Sequence, residues 1–504
     1  MSLRPLTVIV LVALITSALS PSVAAQDTPP VTGICDGVIC GPSLSFSPDS
    51  FPTLAPIHWD AFPANIPREQ YAPAAGGRAL YVAPGGSDAA TGTPDAPLAT
   101  LTHAVSIAQP GDVIWVADGE YRVGLPDEYE ALVLTTPGIT LAAEHIGGAV
   151  LMPAGEEYRT GLRVMADGVT VDGFVLSGFG EAGIEFGRIG SPQRGLALKH
   201  LLVERSEEGI RTAYNGGRQP IVDGMLLYDA WLREIAFIGL QCGQGPCNNM
   251  RWEALRVEMP TGDAENSGAD AIALESGDNI VVFNAEVSGA SGDGIDLKSG
   301  SAVVANVIVH DIGRNGIKIW YGGDVVNALV YNTGADAALV FEAGTFRILN
   351  TIVARHAWGS QAYAMTAAYD TSTQPGRMEI VNSVFYQNSG AVWISPALDL
   401  DVRHSLFYGS ADGFELEWAE HVQIGEQADP ISALEGMGAG ANNWDSVDPR
   451  FANPDAGDYT WGADSLLHDA GTDAVLLPAF DLLGRPRVAG AAVDLGPWEL
   501  PEGS

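Results

Sequence analysis

Short apolar segments recur along this chain at a nearly fixed interval, each opened by a small polar residue. Asp293-Gly294-Ile295-Asp296-Leu297 is followed 22 residues later by Asn315-Gly316-Ile317-Lys318-Ile319. The same pattern stands 23 residues upstream as Asp270-Ala271-Ile272-Ala273-Leu274 and 21 downstream as Asp336-Ala337-Ala338-Leu339-Val340. It returns as Asp412-Gly413-Phe414-Glu415-Leu416. In a second register, Asn284, Asn306, Asn327, Asn350 and Asn382 each open a run such as NVIV or NALV, and His404 continues the series; the spacings are 22, 21, 23, 32 and 22. Period-two alternation makes each run a strand. Repetition about every 22 residues, with no long helical pattern, makes each group of strands one turn of a solenoid. The predicted fold is all-β: a parallel β-helix whose strands pair with those of the coils above and below. The step of 32 between Asn350 and Asn382 predicts a loop of about ten extra residues around Trp358 to Gly376.

Taken in order, residues 1–25 read as a secretory signal: Arg4, the apolar run Leu6 to Ile15, then Val23-Ala24-Ala25 as cleavage site. That run is short for a membrane span, and no later stretch is long enough for one. Residues 26–78 are rich in Pro, Ala and Ser and predict a linker or strap. The segment YVAPGGSD…GD…V…G.Y from Tyr81 to Tyr121 predicts a strand, a turn-rich loop, a short helix over Pro97 to Ala108 and a strand Val113 to Val116. It resembles the N-terminal segment of many secreted right-handed parallel β-helix proteins, in which the helix covers the open end of the core. Some cover is required physically, because an open end exposes unpaired strand edges and apolar side chains. The solenoid with this cap is placed at 79–442, and 443–504 is expected to supply the last irregular coils and a closing cap.

Composition narrows the environment. Sixty Gly are interleaved with Val, Ile and Leu, as tight turns in a packed fold require. The net charge of −37 argues against nucleic acid and anionic membrane as partners and is compatible with cations such as Ca²⁺. Four cysteines fall in two local pairs, Cys35 with Cys40 and Cys242 with Cys247, and in an exported chain predict two short-loop disulfides. A secreted monomer, extracellular, periplasmic or on the cell surface, is the expectation.

Candidate chemistry follows from the alternation. With Ile295, Leu297, Ile317 and Ile319 inward, Asp296, Lys298, Lys318 and Trp320 point outward. Adjacent coils lie about 4.8 Å apart, so Asp296 and Lys318 become neighbours, and Asp270, Asp293 and Asn315 form a row at the adjoining turn. Phe341 and Trp393 are expected to continue the outward face. The three aspartates offer hard oxygen ligands for Ca²⁺, and a lysine beside them could remove a proton. The run GADAIAL…SGDGIDLK…RNGIKIW resembles the central coils of family 9 polysaccharide lyases, calcium-dependent pectate lyases on a right-handed β-helix. The resemblance implies Asp270, Asp293 and Asp296 as calcium ligands and Lys318 as the base of a β-elimination on an acidic polysaccharide. Lys298, Arg314, Trp320 and Phe341 are the accompanying candidates for substrate contact. Two alternatives stay open: a glycoside hydrolase using two of Asp270, Asp293, Asp296 and Glu275, or a glycan-binding or adhesive solenoid. In the last, Asp270, Asp293 and Asn315 simply satisfy turn backbone groups.

Overall fold

The structure is a computed structural model. It describes residues 70–501 apart from 124–130, 156–159, 214–219, 244, 261–267, 335–336, 357–362, 368–375, 389–391, 396–397, 410–415, 419–429, 474–476 and 478–479, together with the strands Gly33–Cys35 and Val38–Cys40. The expected signal segment, most of the strap, Asp336, Asp412 to Glu415 and the side chains of Cys35 and Cys40 lie outside the described residues. The chain divides into two compact units, Met1–Phe46 and Ser47–Ser504. In the first, Gly33–Cys35 pairs antiparallel with Val38–Cys40.

The second unit is a right-handed parallel β-helix. One sheet holds twelve parallel strands, one per coil, running from Leu132–Leu134 through Ala182–Phe186, Glu208–Thr212, Ile238–Cys242, Ile272–Gly277, Ile295–Ser299, Ile317–Ile319 and Ala337–Phe341 to Leu416–Trp418. Ile272, Ile295, Ile317 and Leu339 stack in register, as do Leu274, Leu297, Ile319 and Phe341, and all eight are fully buried. Burying each such side chain contributes roughly 1.5–3 kcal/mol, which makes these rows the source of the register. The expectation that Phe341 points outward is therefore corrected. The pairing matches Ile317 with Leu339, one residue later than the sequence pattern places it, and a one-residue shift turns every side chain to the opposite face. Phe341 packs on Phe346 in the core, with ring centroids 4.9 Å apart.

The remaining sides of each coil are long strands such as Ala302–Ile312 and Gly323–Thr333, each bent at an interior left-handed residue, Asn306 or Asn327, with a second left-handed residue, Asp311 or Asn332, near its end. His200, Asp229, Ala254, Asn284, Asn306, Asn327, Asn350, Asn382 and His404 occupy that bend in successive coils, with φ between 48° and 58°. Asparagine suits it because its short side chain can bond locally in this conformation. Asn327 Nδ2 donates to Asn306 Oδ1 at 3.0 Å, and Asn382 Nδ2 to Asn350 Oδ1 at 3.0 Å. Within the long step of the asparagine series, Tyr363–Ala367 is that coil's strand of the twelve-strand sheet, paired between Ala337–Phe341 and Val392–Ile394, and the rest of the expected insertion up to residue 375 lies outside the described residues.

Both ends of the core are covered by short helices. Leu101–Ile107, capped where Thr100 Oγ1 accepts from the His103 N–H, buries Leu101, Ala104 and Val105. Pro430–Gly436 buries Leu434 in the core at the other end. The C-terminal segment from Asp448 onward differs from its expected role as a cap. It runs back along the outside of the bends, and its Tyr459, Trp461, Leu467, Leu495 and Trp498 cover the outward-facing Leu329, Ile352, Val384 and Leu406. Asn327 and Asn382 donate to the Phe480 and Thr472 carbonyls at 2.9 and 2.8 Å. Arg487, 2% exposed, donates to Asn350 Oδ1 and to the carbonyls of Asp494, Gly496 and Trp498. Arg487→Ala strands these acceptors in the interior. It is expected to lower the unfolding free energy by about 3–5 kcal/mol, read by urea denaturation, and to expose the C-terminal segment to limited proteolysis before the coils.

Candidate functional site

On the outer face of the twelve-strand sheet, one position per coil forms a single column. In chain order it reads Arg163, Glu185, Arg211, Gln241, Ala273, Asp296, Lys318, Val340, Thr366 and Trp393. Its upper part is a closed ion-pair network. Glu185, fully buried, accepts from Arg163 Nε at 2.7 Å and Arg211 Nη2 at 2.7 Å, while Arg211 also reaches Glu181 and Glu208 at 2.5 and 2.7 Å. The segments carrying these residues, AGIEF, EGIRT and IGLQC, repeat the small–apolar–polar pattern of DGIDL. Extending the repeat upstream of Asp270 would have revealed them.

The lower part, from Ala273 to Lys318, holds the residues singled out from sequence. Asp270, Asp293 and Asn315 do form a ladder. The Asp293 N–H donates to Asp270 Oδ1 at 2.7 Å, the Asn315 N–H to Asp293 Oδ1 at 3.1 Å, and the Ala337 N–H to Asn315 Oδ1 at 3.0 Å. One oxygen of each aspartate is thus committed to the turn. Asp296 lies beside this row, and its Oδ1 accepts from Trp320 Nε1 at 2.8 Å. Lys318 Nζ sits 3.7 Å from both Asp293 Oδ2 and Asp296 Oδ2, and 4.7 Å from the Trp320 ring centroid. Lys298 approaches the same ring at 5.5 Å and pairs with Glu275. Five of the predicted contacts, Asp293, Asp296, Lys298, Lys318 and Trp320, are therefore in one patch. Arg314 is electrostatically coupled to Asp270 at its border, and Phe341 is excluded from it.

Burial sets the electrostatics here. It pushes the Asp270 carboxyl up to about 7, with the charges of Asp293 and Asp296 adding to the shift and the Asp293 N–H and Arg314 opposing it. Burial also raises Asp296, while Lys318 and the Trp320 N–H pull it back. For Lys298 burial acts downward, but its bond to Glu275 and the charge of Asp296 outweigh it and hold the ammonium above its ordinary value.

Calcium would need several free oxygens converging on one point. The ladder takes Asp270 Oδ1 and Asp293 Oδ1, Trp320 takes Asp296 Oδ1, and Lys318 stands between the remaining oxygens of Asp293 and Asp296. Among the described residues the three aspartates do not bring their oxygens within 4.8 Å of one another. Only His468, Asp469 and Asp494 do so, in the C-terminal segment, where the Asp469, Ala492 and Leu500 N–H groups already donate to the carboxylates. The aspartates in this arrangement do not fit a calcium ion, and no chemistry is routed through one. The Cys242–Cys247 disulfide forms as expected. No helix among the described residues is long and apolar enough to cross a membrane.

Comparison with known proteins places the fold in context. A family described as "Protein of unknown function (DUF1565)" matches residues 84–140, the loop, capping helix and first coils. No curated protein matches. Among solved structures, pectate lyase Pel9A is 15% identical over 84% of this chain and 96% of its own, with a TM-score of 0.44. The A-module of mannuronan C-5 epimerase AlgE6 from Azotobacter vinelandii is 13% identical over 69% and 93%, with a TM-score of 0.40. XylC in complex with xylose is 10% identical over 84% and 98%, with a TM-score of 0.48. At these identities the likeness is one of fold.

The raised Asp270 yields a stability test. An acid whose folded pKa lies near 7, above its ordinary 3.8, destabilises the fold when ionised, and that destabilisation fades as pH falls through 7. Asp270→Asn keeps an oxygen for the Asp293 N–H and removes the charge. Its melting temperature is expected to exceed that of the wild type at pH 8, with the difference closing near pH 4 in a calorimetric pH series.

Proposed function

We propose that the chain is a secreted carbohydrate-active protein that cleaves an acidic polysaccharide by β-elimination, with Lys318 as base. The observation that carries this reading is the use of lysine. Only three of the 25 basic side chains in the chain are lysines, and two of them meet on Trp320. Elsewhere arginine makes the ion pairs, as its planar fork suits, in pairs such as Arg163–Glu185 and Arg347–Asp324. Lysine is the residue that can act as a free amine and take a proton. In the elimination the neutral amine of Lys318 removes the C5 proton of a uronate, the C4–O bond breaks with its electron pair going to the departing sugar oxygen, which takes a proton from water, and a C4–C5 double bond forms. Lys298 and Arg314 supply positive charge to the uronate carboxylate as its negative charge spreads during the step. Asp293 and Asp296, each 3.7 Å from Nζ, hold the amine in place. The family resemblance implies a Ca²⁺ requirement, which rates in Ca²⁺ and in chelator measure directly.

One observation favours hydrolysis as a second reading. Asp270, held near pH 7 beside Asp293 and Asp296, is the kind of pairing that separates a general acid from a carboxylate base. The Cys242–Cys247 disulfide supports an exported protein, and the net charge of −37 supports a monomeric one.

The test is ultraviolet absorbance of the protein with polygalacturonate, with other uronans and with neutral xylan, in Ca²⁺ and in chelator. Elimination predicts a rise with a uronan only, reduced by about 10²–10⁴-fold in both Lys318→Ala and Lys318→Arg. New reducing ends without absorbance would replace elimination by hydrolysis. Retention on a polymer with neither signal would leave a binding solenoid.

A further inference from the structure

Trp320 and Tyr321 stand side by side at the edge of the patch, with ring centroids 6.2 Å apart and planes tilted by 50°. Their surroundings differ sharply. The indole of Trp320 is engaged on its edge, where Nε1 donates to Asp296, and on its surface, where both lysines gather. Two ammonium groups therefore already claim ring surface on the indole. Tyr321 is 55% exposed, the most exposed large hydrophobic residue among those described.

The turns on either side explain that exposure. The Tyr321 N–H donates to the Ser299 carbonyl at 3.1 Å, and the Ala343 N–H donates to the Trp320 carbonyl at 2.7 Å. The adjoining turns are therefore Ser299-Gly300 and Ala343-Gly344, with no side chain larger than serine to cover the phenol. Gly344 has φ 121°, and a Cβ there would fall 2.5 Å from the Tyr321 carbonyl oxygen, so the small residue is imposed by the backbone. An exposed aromatic ring flanked by bare turns, next to two lysines, offers an apolar surface and a cation to the same ligand.

We propose that the two aromatics divide their roles: Tyr321 is the platform on which a sugar ring of an acidic polysaccharide stacks, and Trp320 is a positioning residue that holds Asp296 and Lys318. This rests on the carbohydrate reading above, whichever bond-breaking chemistry applies. The apolar C–H face of a pyranose lies against the phenol, its hydroxyls remain in water, and the carboxylate of that sugar or its neighbour meets Lys298 or Lys318. Trp320 fixes one oxygen of Asp296 by its N–H and keeps the ammonium of Lys318 over its ring, a contact in which cation and indole attract each other.

The experiment compares the full-length wild type with Tyr321→Ala, Tyr321→Phe and Trp320→Phe. Each variant is first matched to the wild type by circular dichroism and thermal melting. Affinity electrophoresis in polygalacturonate, alginate and xylan gels reads binding, and initial rates on the retarding polymer read KM and kcat. Stacking predicts that Tyr321→Ala loses most of its retardation and raises KM roughly five- to tenfold at unchanged kcat, and that Tyr321→Phe recovers to within about twofold. Positioning predicts that Trp320→Phe, which keeps a ring for the lysines but removes the N–H, lowers kcat by about tenfold or more with KM nearly unchanged. Wild-type retardation with an equally retarded Tyr321→Ala overturns the platform and leaves the carbohydrate reading standing. A wild type retarded by none of the polymers overturns the reading and the platform together. Equal kcat in Trp320→Phe and wild type removes the positioning role.

Discussion

The parallel register between coils is the constraint on which everything else in this chain depends. Inward rows of Ile, Leu and Phe gain their burial only if each strand sits directly over the last, and a slip of one residue would carry a whole row into solvent. That requirement brings outward side chains more than twenty residues apart in sequence to neighbouring positions about 4.8 Å apart. Asp296 and Lys318 share a patch because Ile295 lies over Ile317 and Leu297 over Ile319. The site is a by-product of core packing, fixed by residues that never touch a ligand.

Given that scaffold, the outer face shows two ways of handling charge. In the upper coils Glu185 is fully buried but accepts from two arginines, so its charge is matched bond by bond. Around Asp296 the match is looser: a lysine at 3.7 Å, an indole N–H, and burial beside the charge of Asp293 that pushes both Asp270 and Asp296 up. Closed arginine networks confer order, whereas an open group of carboxylates and amines retains atoms able to exchange a proton or meet a ligand. The contrast within a single column separates structural charge from chemical charge.

The opposite flank answers a different need. Each long strand bends at an interior left-handed residue, and beyond that bend the outward column turns apolar at Ile308, Leu329, Ile352, Val384 and Leu406. Aliphatic rows of that kind require cover, which the C-terminal segment supplies. Its polar atoms are satisfied by the bend asparagines and by Arg487, so the same ladder that turns the chain also anchors the segment. The cluster that this segment covers includes no described residue of the sheet bearing Lys318.

The sequence by itself determined the repeat, the strand alternation, the N-terminal helix, the bend asparagines and the adjacency of Asp296 and Lys318. These are properties of period, and period is visible in one dimension. It could not place Phe341, because Asp336-Ala337-Ala338-Leu339-Val340 fits the pattern in two frames and only the burial of Leu339 and Phe341 selects one. Nor could it show that Trp320 is engaged while Tyr321 is open, since that depends on the small residues of two other coils. The C-terminal segment reads as a cap because it lacks the repeat, and its lateral course is set by apolar positions from several separate coils. Whether the aspartates converge on a metal or on Lys318 was likewise decided in three dimensions, where backbone N–H groups and an indole claim their oxygens first. Local pattern fixes which face a side chain takes; what it meets there depends on residues that the pattern does not connect.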